Sequence, residues 1–479
     1  MTGRSLNLIS PALDHRGRRS PHELRTRPPR MAAPVDTSRA GRAVVLVALA
    51  HATLAVALLR PSTLAGERGG EIAIHGIAVS CTAAVAFLYA FGARNVTTYW
   101  PTTVWQRRSL WLSVACAYFG LVMGLAAGNP FRYVVGDSGQ WAIYPIAWCL
   151  GYAAVRSDEQ VLRSLKVLAL VLTAQQAREL VAVFTELSAG KIGRLHSVYW
   201  PHGVVAFVIA WAAALSSSAV SAQVAWLGVV LLNCFVGLAS GFRTSLFLFP
   251  LTAIVVTACV SHRSGRWLRL SGVVVLITLA VLGGLVPSKL IKVIDSPISA
   301  AMTRLSELEA GGDRSSTQRL VEARLVIEKL SERPWNLPLG FGSGAMVSTE
   351  GAENDVSERY RYVDEFHYVH ISPFSVLLRS GLLGLLALAS VLVTTVWTQV
   401  RACRASRRVG DAALLGTLLV FLLAAPFFTF VPGDIMFAIL AGMAGRRAVE
   451  IGTDQFDGGQ EEVSALAVGR TSLMPRSHR

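Results

Sequence analysis

The chain has 479 residues, 53% of them hydrophobic and only 16% charged, with a formal net charge of +15 and a mean hydropathy of +0.48. A soluble domain carries about a quarter charged residues, and the apolar runs here approach the roughly 20 residues with which a helix crosses a bilayer. A soluble domain is therefore excluded, and so is an open sheet, whose backbone lipid cannot satisfy.

The expected fold is an all-α polytopic membrane protein of about 12 transmembrane helices, with one long extracytoplasmic loop carrying short amphipathic helices. Residues 1–42 are rich in arginine and lack an apolar core of signal-peptide type, so they read as a disordered basic cytoplasmic arm that touches anionic lipid. No aromatic or motif-bearing module accompanies that charge, and nucleic acid is not an expected partner. Apolar runs follow at Ala43–Leu59, Ile72–Gly92, Leu110–Gly128, Trp141–Val155, Leu162–Phe184, Val204–Leu215, Val224–Ala239, Leu246–Val260 and Leu270–Val286. These make up transmembrane helices 1–9 within residues 43–286.

If each run crosses once, the short basic connections fall on one face. Arg107 and Arg108, Arg156 and Arg163, Arg263 and Arg266, and Arg401 to Arg408 all sort together. By the positive-inside rule that face is the cytoplasm. The opposite face receives residues 287–369, with 13 acidic and 10 basic side chains. Topology thus accounts for the basic excess without an acidic partner. Residues 370–446 carry helices 10–12, at Ile371–Val400, Ala412–Pro426 and Pro432–Gly445; the last two are short enough to be one broken span. Residues 447–479 form a cytoplasmic tail.

A connection of more than 80 residues is too long to be mere linkage. Within it, "SSTQRLVEARLVIEKLSERPW" predicts a helix. Ser315 to Thr317 offer N-cap oxygens, Leu320, Ala323, Ile327 and Leu330 make an apolar stripe, and Pro334 ends the element. Arg319 would then sit in the first turn, where free N–H groups favour an anion.

After this helix come "PLGFGSG" (Pro338 to Gly344), a polar stretch, and His370 leading a span that contains "GLLG" (Gly381 to Gly384). Earlier, "GLASGFRTSLFLFPLTAI" carries Arg243 at a span entrance, and "GRLHSVYWPHGVVAF" carries Arg194 ahead of Pro201–His202. Taken in order, these stretches resemble the O-antigen ligase/polymerase family of membrane glycosyltransferases. The resemblance runs from about Gly193 to Leu386. The sequence departs from the family pattern in having Ile371 where the family has an Asn after the histidine, and Ala323 where it has an aromatic four residues after the helix arginine.

The resemblance implies an enzyme that takes a glycan from a polyprenyl-diphosphate-linked donor and passes it to a hydroxyl of a glycan or lipid acceptor during surface polysaccharide assembly. It implies inversion, no metal and no cofactor, and a bacterial plasma (inner) membrane location, multi-pass with both termini cytoplasmic. His370 occupies the family's histidine position, and Arg243 and Arg319 occupy its arginine positions. The chemistry of these residue types agrees. A departing diphosphate gains charge and needs a cation, for which arginine is permanently charged and bidentate. An acceptor hydroxyl must lose a proton, which imidazole takes near neutral pH.

Other residues support this or compete with it. His367 orients His370 or the acceptor, or is a plain interfacial residue. Arg178, beside Glu179 inside a span, is half of a compensated pair or a wall of the phosphate cavity. Arg379 lines the bundle interior or binds phosphate below the base. Asp364, Glu365, His367 and His370 are an alternative set of metal ligands, although no HExxH pattern is present. The three glycines of "GFGSG" cradle phosphate or simply make a tight turn. From another functional class, a polysaccharide or lipid-linked sugar transporter or flippase would require paired broken spans in both halves and polar residues at the midplane. The polar residues here gather mostly at the outer mouth, which favours the enzyme.

Overall fold

The computed structural model describes residues 103–188, 200–239, 243–260, 314–349, 365–367, 369, 371–424 and 433–451, with isolated positions 39, 41–44, 84 and 88. The expected runs Ala43–Leu59, Ile72–Gly92 and Leu270–Val286 lie wholly or almost wholly outside these residues. The described elements are mostly helical: α1 (Val104–Ala126), α2 (Phe131–Ala154), α3 (Asp158–Ser188), α4 (Trp200–Ser216), α5 (Val220–Ala239), α6 (Arg243–Val260), α7 (Arg314–Glu332), α8 (Ser372–Ser406) and α9 (Val409–Ala424). A further helix, α10, covers residues 435–451. Among the described residues α1, residues Val220–Gly237 of α5, and α8 are long and apolar enough to cross a membrane, and three shorter apolar helices lie at His202–Ser216, Phe247–Val260 and Val409–Leu423.

The core follows from hydrophobic patterning. Helix α4, "WPHGVVAFVIAWAAALS", is apolar on every side, and a helix of that kind must be surrounded. Residues Val204 to Ala213 are buried, enclosed by α3, α5, α6 and α9. A polar tie is made by the Trp211 indole, which donates to Thr257 Oγ1 of α6 at 3.0 Å. Helices α1, α2 and α8 pack together beside this group, and α9 touches α8.

The basic connections meet at one end of the bundle. Arg447 of α10 binds both carboxylate oxygens of buried Asp411, at 2.9 and 3.0 Å. The Asp411 N–H donates to Asp158 Oδ1 at 3.0 Å, and Gln106 of α1 reaches the Gly445 carbonyl at 3.4 Å. A bidentate arginine–carboxylate pair is the form in which such charges survive burial.

The long loop supplies α7, a 3-10 turn at Pro334–Asn336, and a two-stranded antiparallel pair, β1 (Val347–Ser348) with β2 (Glu365–Phe366), in which Val347 faces Phe366. That strand pair is an addition to the all-α expectation. Helix α7 also differs in detail from its sequence reading. It begins at Arg314, so Arg319 lies in the second turn and not the first. Of the predicted stripe, Ala323 and Leu330 are buried, but Leu320 is 69% exposed and Ile327 52% exposed. Instead Val321, Leu325 and Val326 turn inward and pack with Val347, Phe366 and Leu378. Lys329 lies over the Phe341 ring at 5.3 Å and donates to the Met346 carbonyl, tying α7 to the segment that follows it.

Candidate functional site

The segment after α7 is wedged between α8 on one side and α1 with α2 on the other. Gly340, Gly342 and Gly344 all have positive φ, between +73° and +84°, a region that L side chains resist. The backbone approaches closely as well: a Cβ on Gly342 would lie 2.2 Å from Gly124 N of α1. The amides of this turn are engaged in packing. Phe341 N–H donates to the Leu378 carbonyl at 2.8 Å and Ser343 N–H to the Gly120 carbonyl at 2.9 Å. Gly344 N–H donates to Asp137 Oδ2 at 2.7 Å. Asn129 Nδ2 reaches back to the carbonyls of Phe341 and Ser343, at 3.1 and 3.0 Å. Of the two readings of "GFGSG", the geometry matches the tight turn: donors already committed to helices do not cradle a phosphate.

Helix α8 accommodates the wedge by breaking. Gly381 sits at φ 60°, ψ −154° inside the helix. The donors freed there are satisfied by the loop, with Leu382 N–H on the Leu337 carbonyl at 2.9 Å and Leu383 N–H on the Pro338 carbonyl at 3.1 Å. Irregular backbone within a span is tolerated when protein satisfies it in this way.

The charged centre of this mouth is Asp137 of α2, which is 4% exposed. Arg379 Nη1 of α8 pairs with its Oδ1 at 2.8 Å. His367 Nε2 lies 3.0 Å from its Oδ2, which Gly344 N–H also approaches. Arg379 Nη2 in turn donates to the His367 carbonyl at 2.9 Å. The His367 ring stacks on Tyr133, centroid to centroid 4.1 Å and nearly parallel, and the Arg132 guanidinium lies over the other ring partner, Tyr133, at 4.5 Å. Beside the carboxylate, Ser138 Oγ donates to Ser343 Oγ at 2.8 Å. Burial, then Arg379, pull the His367 pKa below its ordinary value, while Asp137 pulls it upward. A carboxylate only accepts, so in the neutral ring Nε2 of His367 carries the hydrogen and Nδ1 keeps its lone pair.

The sequence-predicted residues divide into three groups. His367 and Arg379 are brought together, through Asp137. Arg379 is 7% exposed and compensated, which matches a place in the bundle interior and not a free phosphate ligand. Arg319 stands half-buried on α7; Arg243 opens α6 and Arg178 lies along α3, with only their backbone described. His370, Arg194 and Asp364 lie outside the described residues. Among the described residues no group of His, Cys, Asp and Glu could hold a metal ion.

Sequence reasoning missed Asp137. It lies in "VGDSGQW", ahead of the apolar run at Trp141, whereas α2 begins ten residues earlier at Phe131. The available signal was Arg379 itself, since a cation inside a span calls for a carboxylate partner.

Comparison with known proteins agrees with the motif reading. Residues 204–389 match the family model described as O-Antigen ligase. No curated protein matches the chain.

Proposed function

We propose that this chain, whose residues 204–389 match the O-Antigen ligase family model, is a membrane glycosyltransferase that moves a glycan from a polyprenyl diphosphate to an acceptor hydroxyl in surface polysaccharide assembly. One observation supports this most. The family segment contains both the glycine turn and the broken head of α8, and imidazole and guanidinium groups gather where the two meet. In this proposal about twelve helices cross the plasma membrane. Residues 1–42 and the tail from 447 lie in the cytoplasm, helices 1–9 occupy residues 43–286, residues 287–369 face outward, and helices 10–12 fall within 370–446.

Arg243 and Arg319 hold the diphosphate as the glycosidic C–O bond breaks, with Arg194 and Arg178 in support. His370 takes the proton of the incoming hydroxyl. The reaction inverts the anomeric carbon and uses no metal. A transporter also uses discontinuous helices, and α8 is one. In α8, however, the freed N–H groups of Leu382 and Leu383 are taken by the loop's own carbonyls and not held for a substrate, which favours the enzyme.

The test is reconstitution of the purified protein in vesicles with a lipid-diphosphate oligosaccharide. Wild type should release lipid diphosphate and lengthen or transfer the glycan, and His370→Ala, Arg243→Ala and Arg319→Ala should each lose most of that turnover. Full turnover in His370→Ala would remove the proposed base. Movement of the lipid-linked sugar across the vesicle wall without transfer would replace the enzyme with a flippase.

A further inference from the structure

Asp137 stands outside the family segment and yet ties three parts of it together. Its carboxylate receives the glycine turn through Gly344 N–H, the strand leading to α8 through His367, and α8 itself through Arg379. Such a buried carboxylate is expensive unless every lone pair is used, and here both oxygens are.

The arrangement has a directional consequence for the imidazole. With Nε2–H directed at Asp137, the ring is held in one tautomer. Stacking on Tyr133 fixes its plane, and the Arg379 bond to the His367 carbonyl fixes its backbone. Among the described residues no donor meets Nδ1, a rigid hydrogen-bond acceptor on a side chain that keeps 19% of its surface exposed. A neutral imidazole nitrogen so placed suits a hydroxyl donor and not a phosphate, which offers mainly acceptors. Among the described residues the charged and titratable groups facing the ring are Asp137, Arg132 and Tyr133 from α2 and Arg379 from α8.

We propose that Asp137 is the positioning residue of this mouth, holding His367 so that Nδ1 accepts a hydrogen bond from a hydroxyl of the acceptor glycan. The proposal rests on the glycan-transfer reading, in which His370 takes the proton of the attacking hydroxyl; His367 would hold a different hydroxyl of the same acceptor.

The experiment uses the full-length protein in vesicles, a lipid-diphosphate oligosaccharide as donor and a short water-soluble oligosaccharide as acceptor. His367→Gln and Asp137→Asn should each raise the KM for the acceptor about tenfold, the loss of one hydrogen bond. The KM for the donor should stay within about twofold of wild type. The double variant His367→Gln/Asp137→Asn should be no worse than either single one, since one acts through the other. Asp137→Asn leaves Arg379 as a buried cation, so Asp137→Asn/Arg379→Gln, which removes both charges, serves where the single variant does not fold.

A second readout needs no turnover. The oligosaccharide should protect His367 from diethyl pyrocarbonate in wild type and not in Asp137→Asn. An unchanged acceptor KM in His367→Gln, or a rise in donor KM instead, would overturn the assignment. If wild type transfers nothing but the oligosaccharide still protects His367, the glycan-transfer reading fails while the hydroxyl site stands.

Discussion

Gly340 and Gly381 meet backbone to backbone. A Cβ on Gly340 would lie 2.7 Å from Gly381 N, and one on Gly381 would lie 2.5 Å from Gly340 N. Both also have positive φ, +73° and +60°. Gly340→Ala and Gly381→Ala should therefore each destabilise the protein by about 3 kcal/mol or more, combining overpacking with backbone strain. Unfolding in detergent, followed by circular dichroism, measures this. A loss below about 1 kcal/mol in either variant would mean that the loop and α8 do not meet there.

Much of the helical architecture was legible because lipid leaves a chain few options. The run Leu246–Val260 corresponds to α6 at Arg243–Val260, and Ile371–Val400 to α8 at Ser372–Ser406. Pro334 marks the end of α7, which stops at Glu332. What failed to show was whatever depends on a distant partner. Helix α2 begins at Phe131 although "FRYVVGDSGQ" carries Arg132 and Asp137, because Asp137 is neutralised by Arg379, 242 positions away (from 137 to 379). No local pattern encodes that compensation. The inward face of α7 is likewise set by Val347 and Phe366 of the strand pair, so the stripe through Leu320 and Ile327, plausible by spacing alone, points outward.

The Asp137–Arg379 pair yields a test of burial. Arg379→Ala leaves the carboxylate without its cation and should cost about 3–5 kcal/mol, as should Asp137→Ala for the opposite reason. The uncharged double variant Asp137→Ala/Arg379→Ala should be clearly more stable than the sum of the single changes predicts, by about 1 kcal/mol or more. Simple additivity across this double-mutant cycle would show that the two side chains do not interact.

His367 gives stability a pH dependence with a defined sign. Burial and Arg379 hold its folded-state pKa below the ordinary value of about 6.5. Between 6.5 and that lower value the unfolded chain binds a proton that the folded protein refuses, so stability falls as pH falls through this window. Wild type should lose more thermal stability than His367→Gln on acidification from about pH 7 to pH 5. Arg379→Gln should narrow the window from below, because removing a repelling charge raises the folded-state pKa toward the unfolded value. Parallel melting curves for wild type and His367→Gln across this range would contradict the burial of the ring against Arg379.

Sidedness follows from where the described helices meet. Asn129, the glycine turn and the head of α8 lie together, while Asp158, Asp411 and Arg447 gather at the arginine-rich end. With the arginines in the cytoplasm, as the proposal has them, single cysteines placed at exposed Ala127 and exposed Glu159 should lie on opposite faces. In intact cells, with the native cysteines replaced, Ala127→Cys should react with a membrane-impermeant maleimide and Glu159→Cys should react only after permeabilisation. The opposite pattern would put the imidazole mouth on the cytoplasmic face, out of reach of a donor in the outer leaflet, and the proposed transfer could not take place there. Equal labelling of both before permeabilisation would mean that the two ends are not separated by a membrane, and the positive-inside assignment would go with it.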